Sequence, residues 1–381
     1  MSLISEAIMG KSAAQVFPPG EFLKEELDAR GWSQVELAEI IGRPSRVISE
    51  ILAGKRAITP ETAVALGDAF STGAEFWMNL ESQYQLSRVR SEPNAVTRRA
   101  KLYSLYPVRD MIKRGWIESS SNLDLLESQF LDYFGVSSFD DTPKFAHAAR
   151  KASYENVSTA QVAWLIRAGK IARALSADKF SQSRLSKAMG ELRGCLELVD
   201  SVHAVPAILA KAGVRMVIVE ALSGSKIDGA CFWLNKEAPV VALALRFDRV
   251  DNFWHTLLHE LDHVAHGEGQ ATPIVEVDML GEDAAALSSI EARANQAAAE
   301  FSVPEAELEA FIALVDPLFT DQKIVGFAKR LHVHPGIVVG QLQKRKLVPW
   351  QYHRKYLEKV REHIVGNALT DGFGNALPTS L

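Results

Sequence analysis

The sequence WHTLLHELDH, residues 254–263, predicts a helix that carries two histidines on one face. His259 and His263 are four residues apart, and at about 100° per residue both imidazoles project from the same side. Glu260 follows the first histidine, where its carboxylate can take a proton from water at a metal ion. The spacing His-Glu-x-x-His therefore indicates two ligands of a zinc ion (Zn2+) and one general base.

An ordinary core helix is the alternative interpretation of the same segment. Asp251 or Asn252 can cap its start, and the apolar residues between Phe253 and Val264 form a broad face that would be buried. Both histidines could then be satisfied by hydrogen bonds inside a core. A third ligand elsewhere in the chain would favour the metal, because a hydrolytic zinc site has three protein ligands and a water.

A second helix, predicted over Ile290–Phe301, supplies that candidate in Glu291, and small residues on its adjacent faces would permit close helix approach. The pattern EARAN at 291–295 resembles the third-ligand segment of gluzincin-type metallopeptidases. Extended to Pro304, it resembles the ImmA/IrrE family. That resemblance implies a zincin-like fold and a zinc-dependent endopeptidase with Glu260 as its catalytic base.

Other residues near the motif leave alternatives open. His255 could support the site or face solvent, and His334 could steady an oxyanion or simply cap a helix. The segment between the two helices contains further acids that could serve as third ligand instead of Glu291: Glu268, Glu276, Asp278, Glu282 and Asp283.

The N-terminal part predicts several short helices. Residues 33–36, Ser-Gln-Val-Glu, form a capping box, and the helix that follows ends at Gly42. Another short helix, Ser45–Leu52, comes after a tight turn, which is the helix-turn-helix layout. The stretch Ser33–Leu86 resembles HigA-type antitoxins of the Cro/cI class.

That resemblance implies that the second helix of the pair enters the major groove of double-stranded operator DNA. The expected base readers are the exposed positions Ser45, Arg46 and Ser49. The expected phosphate contacts are Gln34, Arg43, Lys55 and Arg56. A homodimer is expected, because palindromic half-sites suit two-fold proteins. A helix-turn-helix used only for packing or for binding a partner protein is the alternative.

Composition and simple sequence patterns argue against several classes of protein. The chain has 381 residues, enough for more than one domain. No run approaches the roughly 20 apolar residues of a membrane span, and the N-terminus lacks a signal-peptide layout. Cys195 and Cys231 are far apart, which argues against a disulfide framework or a cysteine zinc site. The net charge of −5 does not exclude a local basic surface. We expect a cytoplasmic protein without a membrane partner.

We expect a mainly α, multidomain fold. Three strands are predicted between Val214 and Leu245, with Asp228-Gly229 as the turn between the first two, so that a small sheet precedes the metal helix. The predicted regions are a flexible N-terminus (1–19), a helix-turn-helix domain (20–87), a helical linker and middle region (88–203), a zincin-like α+β domain (204–310), a helical C-terminal region (311–366) and a disordered tail (367–381).

These patterns together predict a DNA-binding transcriptional regulator fused to a zinc-dependent endopeptidase. Its expected protein substrate is a repressor-like regulator or the chain's own N-terminal module. The alternatives are a HigA-like antitoxin or repressor whose zinc domain is a sensor that cleaves nothing, and an antitoxin that sequesters a toxin partner.

Overall fold

A computed structural model describes residues 17–88, 95–141, 158–271, 273–277 and 289–372. The chain divides into two compact units, Met1–Ala95 and Val96–Leu381. The predicted mainly helical fold with a small sheet is confirmed. Within these ranges, no helix combines the length and apolar content needed to cross a membrane. The flexible start predicted for 1–19 falls almost entirely outside the described residues.

The N-terminal unit is a small helical bundle. Ser33 forms the predicted capping box, since its hydroxyl accepts from the Glu36 amide at 3.2 Å and its own amide donates to the Glu36 carboxylate at 2.7 Å. Its core includes the fully buried Leu23, Leu37 and Trp77. The helices are α1 (Pro19–Arg30), α2 (Gln34–Ile40), α3 (Ser45–Leu52), α4 (Pro60–Phe70) and α5 (Ala74–Arg88).

The C-terminal unit combines helices with one sheet. Its helices and strands are α6 (Ala95–Leu105), α7 (Val108–Lys113), α8 (Leu123–Phe134), α9 (Thr159–Ala174), α10 (Gln182–Arg193), α11 (Val205–Ala212), β1 (Arg215–Val219), β2 (Ile227–Trp233), β3 (Pro239–Leu243), α12 (Val250–Ala265), β4 (Ile274–Val277), α13 (Ser289–Ser302), α14 (Glu305–Val315), α15 (Asp321–Leu331), α16 (Pro335–Lys344), α17 (Arg361–Ile364) and β5 (Leu369–Asp371). Among the described residues, the 3₁₀ helices Val199–Ala204 and Arg354–Tyr356 join neighbouring elements.

The sheet has the strand order β4-β2-β3-β1-β5 among the described residues. β1 runs parallel to β3 and β5, whereas β2 runs antiparallel to β3 and β4. β3 reads PVVAL and is buried throughout, as expected for a strand covered on both faces. One face packs on α10–α12 and on the helices after α12, and the other on α6–α9. The middle region therefore contributes helices to both faces of the sheet.

The predicted turn between the first two strands is wrong. Asp228 and Gly229 lie inside β2 instead of forming a turn. The buried Asp228 carboxylate accepts a hydrogen bond from Arg246 Nε at 2.9 Å, and Gly229 lies against α12. Asp-Gly is typical of turns, but in this strand Asp228 forms an ion pair with Arg246 and Gly229 allows close packing against α12.

The predicted disordered tail is also wrong for residues 369–371, which form β5. Asp371 is 4% exposed and accepts hydrogen bonds from Trp116 Nε1 at 2.6 Å and Arg167 Nε at 2.5 Å. These partners come from the middle region, so the short strand is held by contacts distant in sequence. Residues 373–381 lie outside the described part of the chain.

Candidate metal centre and helix-turn-helix surface

The helix α12 is buried and carries both histidines of the motif. It begins at Val250, with Arg249 in the cap position, so the cap predicted at Asp251 or Asn252 is wrong. His259 and His263 are each 0% exposed, and their Nε2 atoms lie 3.1 Å apart. The one-face arrangement predicted from the spacing is therefore present in the structure.

Glu291 of α13 joins this pair. Ala294 and Ala298, both buried, give α13 the small face that lets it approach α12 closely. Glu291 Oε2 lies 3.0 Å from His259 Nε2 and 3.6 Å from His263 Nε2. One donor atom from each of the three residues falls within 4.8 Å of the other two. The structure thus brings together the three residues that the sequence predicted as ligands.

The geometry of this cluster fits a zinc ion. Two imidazole nitrogens and a carboxylate oxygen are a donor set that zinc uses in hydrolytic sites. Donors held about 2.0–2.1 Å from a tetrahedral ion lie about 3.3 Å from one another, which is close to the separations of 3.0, 3.1 and 3.6 Å in this cluster.

The electrostatics of the cluster also favour a cation. Burial opposes the charged form of His263, but Glu291 and Glu268 outweigh it and raise the pKa of this imidazole. Burial acts to raise the pKa of Glu291, but hydrogen bonds with His259 and His263 outweigh burial and hold that pKa far below its usual range. The site therefore stabilises positive charge among its three donors.

Glu260, the predicted base, is 0% exposed and lies beside β2. A Cβ atom on Gly229 would lie 2.6 Å from Glu260 Oε1 and 2.8 Å from Thr256 Cγ2. Glycine at this strand position therefore leaves the space that the carboxylate occupies. The same contact explains why a glycine occupies this position of the strand.

Glu268 orients one of the histidines. Its Oε2 atom lies 2.7 Å from His263 Nδ1, on the opposite side of the ring from Glu291. A proton on Nδ1 leaves the Nε2 lone pair directed at the cluster, the arrangement that carboxylates commonly impose on metal-binding histidines. Glu268 faces the other nitrogen of His263, so the alternative that it serves as the third ligand is wrong. Asp278, Glu282 and Asp283 lie outside the described residues.

The two further histidines are placed apart from the three-donor cluster. His255 Nε2 lies 3.1 Å from Asn295 Oδ1 and 3.2 Å from Lys344 Nζ. Burial and the charge of Lys344 lower the pKa of His255 to about 3, so the ring is neutral. His255 lies one helical turn before His259 and lines a cavity of about 510 Å³ between α12, α13 and α16. No sequence pattern pointed to this cavity.

His334 caps α16. Its Nδ1 atom accepts the Gly336 amide at 3.1 Å, and its Nε2 atom lies 3.2 Å from Glu358 Oε1. Both ring nitrogens are engaged at the helix start. The structure therefore corrects the oxyanion role considered for His334 and supports the capping alternative.

The helix-turn-helix surface presents the residues predicted to contact DNA. On α3, Ile48 and Ile51 are buried, which directs Ser45, Arg46 and Ser49 outward. The remaining predicted positions are also exposed: Gln34, Arg43, Lys55 and Arg56.

Glu50 is a feature of this surface that the sequence analysis missed. Its carboxylate pairs with Arg46 Nε at 2.7 Å and with Arg56 Nη1 at 3.0 Å. Hydrogen bonds from these arginines, Arg46 first, lower the pKa of Glu50. The sequence could have predicted the pair of Glu50 with Arg46, because residues four apart on a helix are neighbours.

Comparison with known proteins assigns the N-terminal unit to a known family. Residues 23–77 match the helix-turn-helix family. Virulence-associated protein A of Dichelobacter nodosus is 44% identical over 73 residues, which are 19% of this chain and 72% of that protein. The uncharacterized HTH-type transcriptional regulator YddM of Escherichia coli K12 is 32% identical over 69 residues, 18% of this chain and 73% of that protein.

Solved structures match about the same share of this chain. An addiction module antidote protein of the HigA family from Coxiella burnetii is 38% identical, covering 19% of this chain and 80% of that one, with a TM-score of 0.19. The Pseudomonas aeruginosa antitoxin HigA with the higBA promoter is 35% identical, with the same coverage and TM-score.

The paired helices α2 and α3 and the family match over residues 23–77 define a helix-turn-helix protein. This chain belongs to the helix-turn-helix family through its N-terminal unit. The family match ends at residue 77 and does not reach the C-terminal unit.

Proposed function

We propose that this chain is a DNA-binding transcriptional regulator joined to a zinc-dependent endopeptidase. The observation that carries the enzymatic half is the convergence of His259, His263 and Glu291. Glu260, which follows His259 in sequence, is fully buried. The DNA-binding half is supported by the family match and by the exposed polar face of α3.

The DNA interface is assigned to the exposed side of α2 and α3. Ser45, Arg46 and Ser49 face away from the bundle core, where they can meet base edges when α3 lies in the major groove. Lys55 and Arg56 follow α3 and can reach phosphates beside it.

Selection from random double-stranded DNA with the full-length protein tests this interface. A Ser49→Ala variant should change the preferred sequence, whereas Asp28→Ala on α1 should leave it unchanged. Failure of the wild-type protein to enrich any sequence would contradict a role in operator recognition.

In the proposed peptidase, His259, His263 and Glu291 hold the metal. A zinc ion bound there would act as a Lewis acid toward a peptide carbonyl and would lower the pKa of bound water. Glu260 accepts the proton of the attacking water on its carboxylate and returns it to the leaving amine. Glu268 holds His263 in the tautomer that presents Nε2 to the cluster.

Two features could bind the substrate chain. β4 is an outer strand of the described sheet and pairs with β2, which borders Glu260. An extended peptide can add to such an edge through main-chain hydrogen bonds. The cavity lined by His255 and Asn295 lies one helical turn from His259 and Glu291, so it can receive a substrate side chain near the reacting bond.

The substrate we propose is a repressor-like regulator, including the chain's own N-terminal unit. Purified full-length protein should contain about one zinc per chain and cleave such a substrate. Protein that binds zinc and DNA but cleaves neither itself nor a candidate repressor would support the alternative, a repressor or antitoxin with a zinc-containing sensor domain.

A further inference from the structure

Arg293 of α13 makes three hydrogen bonds to two carboxylates beside the candidate metal centre. Its Nη2 and Nη1 atoms donate to Oε2 and Oε1 of Glu268 at 2.7 and 3.1 Å. Its Nε atom donates to Asp262 Oδ2 at 2.9 Å. The bidentate contact uses the planar fork of the guanidinium, a geometry that lysine cannot reproduce.

These contacts connect the elements that carry the three donors. Arg293 lies two residues after Glu291, and Asp262 immediately precedes His263. Glu268, on the segment after α12, accepts from Arg293 through Oε2, and the same oxygen lies 2.7 Å from His263 Nδ1. One guanidinium therefore links α13, the end of α12 and the carboxylate that orients an imidazole.

We propose that Arg293 is a positioning residue for the metal centre, an inference that rests on the proposed function. By fixing Glu268 it sets the ring orientation of His263, and by binding Asp262 it fixes α13, and with it Glu291, against α12.

Zinc affinity of the full-length protein, measured by competition with a chelator, is the direct test. Partners that orient metal ligands typically contribute about 10–100-fold in affinity. Arg293→Ala should weaken zinc binding by that factor, and Arg293→Lys should give an intermediate loss, because it keeps the charge but not the fork. The matched control is Arg345→Ala, since Arg345 also pairs with a glutamate and its side chain is 32% exposed, against 35% for Arg293.

Two further measurements separate positioning from general stability. The visible spectrum of the cobalt-substituted protein should change in Arg293→Ala but not in Arg345→Ala, because it reports coordination geometry. The losses of zinc affinity in Arg293→Ala and Glu268→Gln should be strongly non-additive in the double variant, because both act on one ring.

The outcomes are distinct. If the wild-type protein binds zinc and Arg293→Ala binds it within twofold of the same affinity, the positioning role is overturned while the proposed metal site stands. An equal loss in Arg345→Ala would overturn it as well. If the wild-type protein binds no zinc, the proposed function itself fails.

Discussion

Glu291 Oε2 on α13 lies 3.0 Å from His259 Nε2 on α12. The two residues are far apart in sequence, and their helices meet through the small buried side chains of Ala294 and Ala298. Burying a carboxylate is costly unless it is paired or bound to a metal ion, and the Glu291 carboxylate is paired with two imidazoles. A divalent cation shared with His263 would be held by the same atoms, and the proposed metal site rests on this contact.

Replacing Glu291 with alanine should abolish tight zinc binding, because two imidazoles alone leave the ion without its anionic ligand. Elemental analysis of purified full-length protein measures the effect. Gln296→Ala, on an exposed position of the same helix, should retain the wild-type zinc content. A Glu291→Ala protein that carries stoichiometric zinc would rule out this carboxylate as a ligand.

Gly229→Ala should displace the Glu260 carboxylate, since the added Cβ would lie 2.6 Å from Glu260 Oε1. We expect a loss of about 1–3 kcal/mol in the free energy of unfolding, as for other overpacked cores, together with a loss of peptidase activity. Denaturant unfolding and a cleavage assay measure the two effects. Zinc content should stay normal.

The control for that substitution is Gly190→Ala on α10, where an added Cβ meets no atom within 4 Å. Alanine in a helix interior should stabilise the protein by about 0.5–1 kcal/mol. Equal behaviour of the two alanine variants would show that the contact between β2 and Glu260 has no consequence.

Glu50→Gln should strengthen binding to DNA of any sequence, because Glu50 pairs with Arg46 and Arg56 on the proposed interface. Each arginine that gains a phosphate contact should steepen the dependence of log affinity on log salt by about 0.9. Glu25→Gln on α1 adds the same net charge on an exposed position. If both variants change the salt dependence alike, Glu50 has no specific role.

Chelation should remove the proposed peptidase activity and leave DNA binding intact. The three-donor cluster lies in the C-terminal unit, whereas the helix-turn-helix lies in the N-terminal unit. Activity should return when zinc is added back. Cleavage that continues in protein verified to contain no metal would refute the zinc mechanism.

Local patterns predicted the parts of the site that lie within single helices. The spacing of His259 and His263 placed both rings on one face, and the Ser33 capping box marked the start of α2. The proximity of Glu291 also followed from the sequence, but through its resemblance to a family and not through a physical rule. Periodicity alone does not say which two helices pack together.

The failures concern contacts between segments distant in sequence. Gly229 was assigned to a turn because glycine after aspartate usually marks one, whereas its position is set by the neighbouring Glu260. The sequence does not predict β5, because three residues carry almost no periodic signal. The strand is held in place by the hydrogen bonds that Trp116 and Arg167 donate to Asp371. The sequence leaves Glu268 open as a ligand, because an acidic residue near the motif can face either side of the His263 ring. In the structure it faces Nδ1.

Cleavage by a Glu260→Gln variant is the most direct measurement of the central claim. The substitution preserves size and polarity but removes the base, so the variant should keep full zinc content while cleavage of a repressor-like substrate falls by at least about 100-fold. Undiminished cleavage by this variant, with the same zinc content as the wild-type protein, would contradict the proposed zinc endopeptidase.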